Sequence, residues 1–156
     1  MADATELVSI LNKQGRILTT AESCTGGMIA ASITDISGSS LVFDRGFVTY
    51  SNQSKTEMLS VPAELIEQHG AVSEAVAKAM AEGALANSSA NICISTTGIA
   101  GPTGGSDEKP VGLVYIAVAM KNKTHCTQHH FTGDRQAVRE QTLQTALQIA
   151  IDALTQ

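Results

Sequence analysis

The sequence predicts an α/β fold: a single layered domain in which a mixed β-sheet is flanked by helices. Segments with apolar residues at helical spacing alternate with segments rich in Val, Ile and Thr, as layered α/β domains require. Hydrophobic residues make up 43% of the chain and charged residues 16%, which supplies a core and excludes intrinsic disorder. The 156 residues match the size of one domain, so we expect residues 1–156 to form one.

The first part of the chain contains two predicted helices and two predicted strands. Residues 3–14 have leucine and isoleucine on one helical face, and Gly15 ends that helix. Residues 17–21 form a short strand, and residues 25–36 form the second helix. Residues 41–50 are rich in Val, Phe and Thr, which favours a second strand.

The middle of the chain carries one irregularity and two helix starts. Gly46 is a predicted bulge in the second strand. Asn52 is the predicted N-cap of a short helix that carries Lys55, and Ser73 is the predicted N-cap of a helix over residues 74–87.

The last part of the chain supplies three further strands and a closing helix. Residues 92–96 form a strand that leads into the glycine-rich residues 98–105. Residues 111–119 are almost continuously apolar, which predicts a central strand covered on both faces. Residues 124–131 alternate more and belong nearer an edge, and Asp134 begins a long helix.

Composition excludes several classes of function. A net charge of −5 and 3% aromatic residues argue against nucleic-acid binding. No apolar run approaches the ~20 residues that span a bilayer, and residues 1–15 lack the plan of a secretory leader. Cys24, Cys93 and Cys126 form no CxxC pair, so we expect reduced thiols in a cytoplasmic protein. The histidines have no metal-ligand partners at suitable spacing, so no metal site is expected.

The first candidate site is residues 20–27, where a strand runs into a helix. Small polar side chains lie there beside unpaired backbone N–H groups, and the glycines allow a ligand to approach the backbone. This suits a nucleophile with an oxyanion hole. The alternative is an ordinary helix start with Ser23 or Thr25 as N-cap. Cys24 is a second candidate nucleophile, although a small buried thiol is the simpler interpretation.

The second candidate site is residues 45–55, which place Tyr50 at a strand end and Lys55 on the next helical turn. A serine nucleophile needs a base, and none of the four histidines has a suggestive neighbour in the sequence. A lysine can serve, because burial lowers its pKa toward neutrality. Tyr50 would then relay a proton or fix the lysine. The alternative is a solvated Lys55 and a Tyr50 at the rim.

The third candidate site is the glycine-rich segment over residues 96–106. It lacks the Lys-Ser/Thr ending of a P-loop and the helix that should follow one, which excludes an NTPase of that type. Its backbone can still form a nest for a phosphate or a polar ligand head, and the alternative is a flexible turn. An arginine at the start of the last helix, Arg135 or Arg139, is a further candidate for a phosphate contact, or else surface charge.

With these motifs, the sequence resembles the CinA C-terminal-domain family from about residue 5 to residue 152. The motifs that carry the resemblance are residues 20–27, residues 46–52 with Lys55, residues 70–73, residues 97–102 and residues 131–135. The resemblance implies hydrolysis of the carboxamide of nicotinamide mononucleotide to nicotinate mononucleotide and ammonia, without a cofactor. It also implies a homodimer or a larger homo-oligomer.

The resemblance implies Ser–Lys chemistry in which Ser23 is the nucleophile, Lys55 the base and Tyr50 its neighbour. The residues expected to stabilise the oxyanion or bind the substrate are Glu22, Thr25, Gly26, Gly27, Arg45, Thr97, Gly98, Gly101, Lys109, Arg135 and Arg139. Two alternatives stay open at this point. One is a Ser–Lys amidase with another amide substrate, and the other is a non-catalytic nucleotide- or partner-binding module linked to competence or DNA damage.

Overall fold

The computed structural model describes residues 2–156, which form one five-stranded sheet between two layers of helices. The helices are α1 (Ala4–Gln14), α2 (Met28–Thr34), α3 (Asn52–Leu59), α4 (Ala63–His69), α5 (Glu74–Ala86) and α6 (Arg135–Thr155). The strands are β1 (Leu18–Glu22), β2 (Phe43–Val48), β3 (Ile92–Gly98), β4 (Leu113–Met120) and β5 (Lys123–His130). The predicted α/β class with a mixed sheet is confirmed.

The strand order is β2-β1-β3-β4-β5. Strands β2, β1 and β3 are parallel to one another, whereas β3–β4 and β4–β5 are antiparallel pairs. The carboxyl ends of the three parallel strands therefore meet at one edge of the sheet. The chain segments that follow these strands carry all three candidate sites.

Two apolar layers hold the helices against the sheet. On one face Leu18, Ile94 and Ile116 pack against α1, α2 and α6. On the other face the contacts are smaller, with Ala21 and Ala117 against α3, α4 and α5. Small side chains on this second face allow α5 to lie close to the sheet and to the end of α3.

The predicted positions of the strands agree with the sheet. Strand β4 is central and buried along most of its length, and β5 is an edge strand with alternating exposure. The register between β1 and β2 shifts between the pairs Leu18–Phe43 and Thr20–Gly46, so the irregularity of β2 lies directly before Gly46. Within residues 2–156, no helix combines the length and apolar character needed to cross a membrane.

The starts of two predicted helices are wrong, and one helix was not predicted. Helix α2 begins at Met28 rather than at residue 25, because Gly26 and Gly27 take left-handed backbone conformations that interrupt the helix. Its N-cap is Gly27, so neither of the predicted side-chain caps is used. Helix α3 is capped by Ser51, whose hydroxyl accepts from the N–H of residue 54, and Asn52 is already helical. Helix α4 was not predicted, because seven residues carry too short a periodic pattern.

Candidate active site

Ser23 follows β1 directly and lies at the carboxyl edge of the sheet. Its backbone N–H donates to the carbonyl of Thr96 on β3 over 3.0 Å, which continues the parallel pairing one residue beyond the strand. The Ser23 side chain is buried, with 8% of its residue surface exposed. The following turn closes with the N–H of Gly26 donating to the Ser23 carbonyl over 3.0 Å. Gly26 has a φ of 58° and Gly27 a φ of 103°, which explains the glycine pair.

Lys55 reaches Ser23 from the first turn of α3. Its Nζ lies 3.1 Å from Ser23 Oγ, 2.9 Å from the Thr49 carbonyl oxygen and 3.3 Å from the Tyr50 carbonyl oxygen. Only 1% of the Lys55 surface is exposed. The predicted proximity of the serine and the lysine is therefore present in the structure.

The surroundings of the amine favour its neutral form. Burial lowers the pKa of Lys55, because the ammonium loses its hydration. Within residues 2–156 no carboxylate forms an ion pair with it. A neutral amine has two N–H donors and one lone pair. In that neutral form, the carbonyls of Thr49 and Tyr50, which can only accept, take the two donors, and the lone pair is left for the Ser23 hydroxyl.

Cys24 is poorly suited to act as the nucleophile. Its side chain is buried among apolar residues, with 5% exposed. Burial raises the pKa of the Cys24 thiol to about 11, so the thiolate is scarce at neutral pH. The geometry therefore favours Ser23.

Glu22 stabilises the turn over residues 23–27 through buried contacts. Its fully buried carboxylate accepts from the Thr25 hydroxyl (2.7 Å), from the Ile29 N–H (2.9 Å) and from the Ala30 N–H (3.0 Å). It thus supplies the cap that Gly27 lacks, and its charge complements the positive end of α2. All of these contacts are internal, so the structure gives Glu22 a positioning role.

Thr25 links this carboxylate to the neighbouring strand. Its Oγ1 lies 2.8 Å from Thr96 Oγ1. Because the Glu22 carboxylate can only accept, Thr25 donates to it, and Thr96 donates to Thr25. The hydroxyl of Thr25 is therefore fully engaged within the protein.

Arg139 holds the same turn from α6. Its Nε donates to the Cys24 carbonyl (3.0 Å) and its Nη2 to the Thr25 carbonyl (3.1 Å). The Cys24 carbonyl shares its peptide unit with the Thr25 N–H, and the Thr25 carbonyl shares its unit with the Gly26 N–H. Both N–H groups therefore point away from the guanidinium. Within residues 2–156 the N–H groups of Thr25 and Gly27 have no acceptor, whereas that of Gly26 is used in the turn. The sequence prediction of a phosphate contact did not anticipate this role of Arg139.

Tyr50 lies at the rim, with 61% of its surface exposed. Arg135 joins it to the glycine-rich segment, since Nη2 donates to Tyr50 Oη and Nη1 to the Gly101 carbonyl, both over 2.9 Å. Lys55 contacts the main-chain oxygen of Tyr50 and not its phenol. The phenol therefore does not orient the lysine, and its hydroxyl accepts from Arg135 at the surface.

Thr97 and Gly98 act within the sheet edge. The hydroxyl of Thr97 donates to the Ala71 carbonyl over 2.8 Å, which anchors the 70–73 motif to β3. A β-carbon on Gly98 would lie 2.6 Å from Val114 Cγ2, so glycine is needed for the close approach of β4. Thr97 and Gly98 therefore fix the end of β3, where the glycine-rich segment begins.

Two predicted substrate contacts are engaged elsewhere. Arg45 forms an ion pair with Asp44 (2.9 Å) and donates to the Asn87 carbonyl (3.1 Å). Lys109 donates to the His69 carbonyl over 2.6 Å. The structure does not bring either cation to Ser23 in this arrangement. The sequence does not show in which direction a side chain on a strand or loop points, so spacing alone suggested both residues as substrate contacts.

Thr49 and Thr96 lie within the second and third candidate sites, but the sequence did not predict that their backbone carbonyls contact Lys55 and Ser23. Contacts of the main chain leave no side-chain signature, so no residue pattern signals them. Within residues 2–156, no three His, Cys, Asp or Glu side chains are grouped so as to hold a metal ion.

The fold and the site define an α/β protein with a buried serine–lysine pair at the carboxyl edge of a mixed sheet. The chain belongs to the CinA C-terminal domain family, whose model matches residues 2–154. It is 54% identical over 139 residues to the nicotinamide-nucleotide amidohydrolase PncC of Escherichia coli, covering 88% of this chain and 84% of that protein.

Longer relatives and solved structures agree with this family. A CinA-like protein of Citrifermentans bemidjiense is 53% identical over 141 residues, which cover 90% of this chain and 34% of that protein. The chain spans about a third of the length of the first curated relatives it matches, 35% in two of them. The crystal structure of the competence/damage inducible protein CihA from Agrobacterium tumefaciens matches with a TM-score of 0.94 at 46% identity, covering 98% of this chain and 93% of that one.

Proposed function

We propose that this chain hydrolyses the carboxamide of nicotinamide mononucleotide to nicotinate mononucleotide and ammonia, with Ser23 as nucleophile and Lys55 as base. The observation that carries the proposal is the 3.1 Å contact between Ser23 Oγ and a buried amine whose other two partners are acceptors. The name of the E. coli relative, a nicotinamide-nucleotide amidohydrolase, supports the substrate class.

In the acylation step, the lone pair of Lys55 takes the Ser23 proton as Oγ attacks the carboxamide carbon. The amide oxygen becomes an oxyanion, and the unpaired N–H groups of Thr25 and Gly27 are the proposed donors to it. Lys55, now an ammonium, passes a proton to the amide nitrogen. The C–N bond breaks, ammonia leaves and an ester to Ser23 remains.

In the deacylation step, water attacks the ester carbon while Lys55 accepts a proton from it. The oxyanion forms again at the same donors and then collapses. The bond to Oγ breaks, Lys55 returns the proton to Ser23, and nicotinate mononucleotide departs. The pyridinium nitrogen of the substrate is a fixed cation, which draws electrons from the carboxamide and assists attack in both steps.

Substrate recognition is the part of the proposal that depends most on the glycine-rich segment, residues 98–105. Arg135 is the proposed contact for the phosphate, and its exposure and its position between Tyr50 and this segment support that role. Lys109 is retained as a second phosphate contact that would exchange its carbonyl partner for the ligand. Arg45 is left out, because its guanidinium is already bound by Asp44 and Asn87. A homo-oligomer in the cytoplasm is part of the same proposal.

The test is ammonia release from nicotinamide mononucleotide, with nicotinamide riboside and nicotinamide as parallel substrates and EDTA present throughout. We expect rapid release from the mononucleotide and little from the other two, because they lack the phosphate. Equal release from the riboside would contradict the phosphate contacts. Absence of release from all three would contradict the amidase itself.

A further inference from the structure

A cleft of about 1030 Å³ lies at the opposite end of the sheet from Ser23. Its walls are the residues just before β1 and β3, the second half of α5 and the turn between β4 and β5. Strand β1 alone separates the two ends by about 16 Å at ~3.3 Å per residue. The cleft is therefore a separate surface from the proposed amidase site.

Cationic side chains converge on this cleft from separate parts of the chain. They are Arg16, Lys78, Lys121 and Lys123, whereas Glu82 is the one carboxylate among the lining residues. Four of the ten basic residues of a chain with a net charge of −5 thus face one cavity. Such a local excess of positive charge attracts anions.

Few partners within the protein occupy these cations. Within residues 2–156, Lys121 and Lys123 form no ion pair, and the pair of Lys78 with Glu74 is long, at 3.5 Å, and exposed. The Arg16 side chain has one polar contact there, from Nη1 to the Met120 sulfur at 3.7 Å. A thioether is a weak acceptor, so the guanidinium retains N–H donors for a bidentate hydrogen bond to a phosphate.

We propose that this cleft binds an organic diphosphate of the nucleoside diphosphate class. The phosphates would lie against Arg16 and the lysines of the β4–β5 turn, Lys121 and Lys123. The organic part would lie against the apolar side chains that α5 contributes to the same cleft, Leu85 and Ala86. The volume is sufficient for such a ligand.

The experiment titrates ADP, inorganic pyrophosphate and adenosine into the protein by calorimetry, with and without saturating nicotinamide mononucleotide. We expect one ADP site per chain, weaker binding of pyrophosphate and no measurable binding of adenosine. The mononucleotide should leave ADP binding unchanged, because the amidase site is elsewhere. Displacement of ADP by the mononucleotide would overturn the proposal.

Matched variants locate the site. Arg16→Gln should weaken ADP binding at least about tenfold, because a charge-assisted contact to phosphate is lost, and Arg16→Gln/Lys123→Gln should weaken it further. Lys13→Gln, which removes an exposed cation outside the cleft, should have no effect. Thermal unfolding of each variant without ligand confirms that it is folded. Binding that survives the double variant, or that Lys13→Gln weakens equally, would refute this site, as would the absence of ADP binding.

Discussion

Replacement of Arg139 by glutamine tests how the turn over residues 23–27 is held. Arg139 donates to two carbonyls of that turn and touches no other part of the proposed chemistry. Glutamine keeps a polar side chain but is too short to make both contacts. We expect kcat for nicotinamide mononucleotide to fall while KM changes little, since the oxyanion donors serve the transition state and not the bound substrate.

The magnitude follows from the two hydrogen bonds. Each contributes about 1 kcal/mol net for a half-buried guanidinium, so about 2 kcal/mol of positioning free energy is lost. If that loss falls on the transition state, kcat drops about 30-fold at ~1.4 kcal/mol per factor of ten. Loss of an entire oxyanion donor would cost about 100- to 1,000-fold, so the expected value lies below that range.

The assay is steady-state ammonia release, with Arg45→Gln as the matched control. Arg45 is bound to Asp44 and Asn87, so its removal should leave both kinetic constants close to those of the parent chain. A rise in KM with unchanged kcat in Arg139→Gln would refute the reasoning, because it would identify Arg139 as a phosphate ligand.

Three further predictions concern Lys55 and the packing of α5 against α3, the helix that carries it. Since burial lowers the pKa of Lys55, kcat/KM should rise with pH to a plateau reached below the usual titration range of lysine, and a flat profile would contradict the base role. In urea unfolding, the free-energy cost of burying the Lys55 ammonium lowers the stability of the folded protein fully at pH values below the folded-state pKa. The free energy of unfolding should then increase between the folded- and unfolded-state pKa values, where the unfolded chain binds more protons, and Lys55→Met should abolish that increase. Gly83→Ala should destabilise the protein by about 1–3 kcal/mol, because a β-carbon there would meet the Leu59 carbonyl on the helix that carries Lys55. Glu82→Ala, one residue away on α5 and exposed, is the control and should change the free energy of unfolding by less than ~0.5 kcal/mol. A change in Gly83→Ala as small as that in Glu82→Ala would show that the close contact is tolerated.

The regular elements could be predicted because each leaves a periodic trace in the sequence. Continuous apolar residues marked β4 as central, and alternation marked β5 as an edge. The order of the strands leaves no such trace, since any of several orders would bury the same faces. Helix α4 was not predicted because it is short, and the start of α2 was predicted too early because Gly26 and Gly27 delay the helix.

In the candidate site, too, some residues could be predicted from the sequence, whereas their contacts could not. Ser23 and Lys55 stood out because their residue types and positions at element ends suit a nucleophile and a base, and the structure brings them to hydrogen-bond distance. The role of Arg139 depends on backbone carbonyls 114 and 115 residues away in the sequence. Glu22 binds the N–H groups of Ile29 and Ala30, which lie near it in the sequence but reach it only through the turn after β1. Those contacts exist only once the chain has folded, so the residues could be named from the sequence but not their partners.

The central claim is that Ser23, and not its neighbour Cys24, is the nucleophile. The most direct test is ammonia release from nicotinamide mononucleotide by Ser23→Ala and Cys24→Ala, each confirmed as folded by thermal unfolding. We predict that Ser23→Ala loses turnover by about three orders of magnitude or more, whereas Cys24→Ala stays within several-fold of the parent chain. An active Ser23→Ala beside an inactive Cys24→Ala would contradict the account.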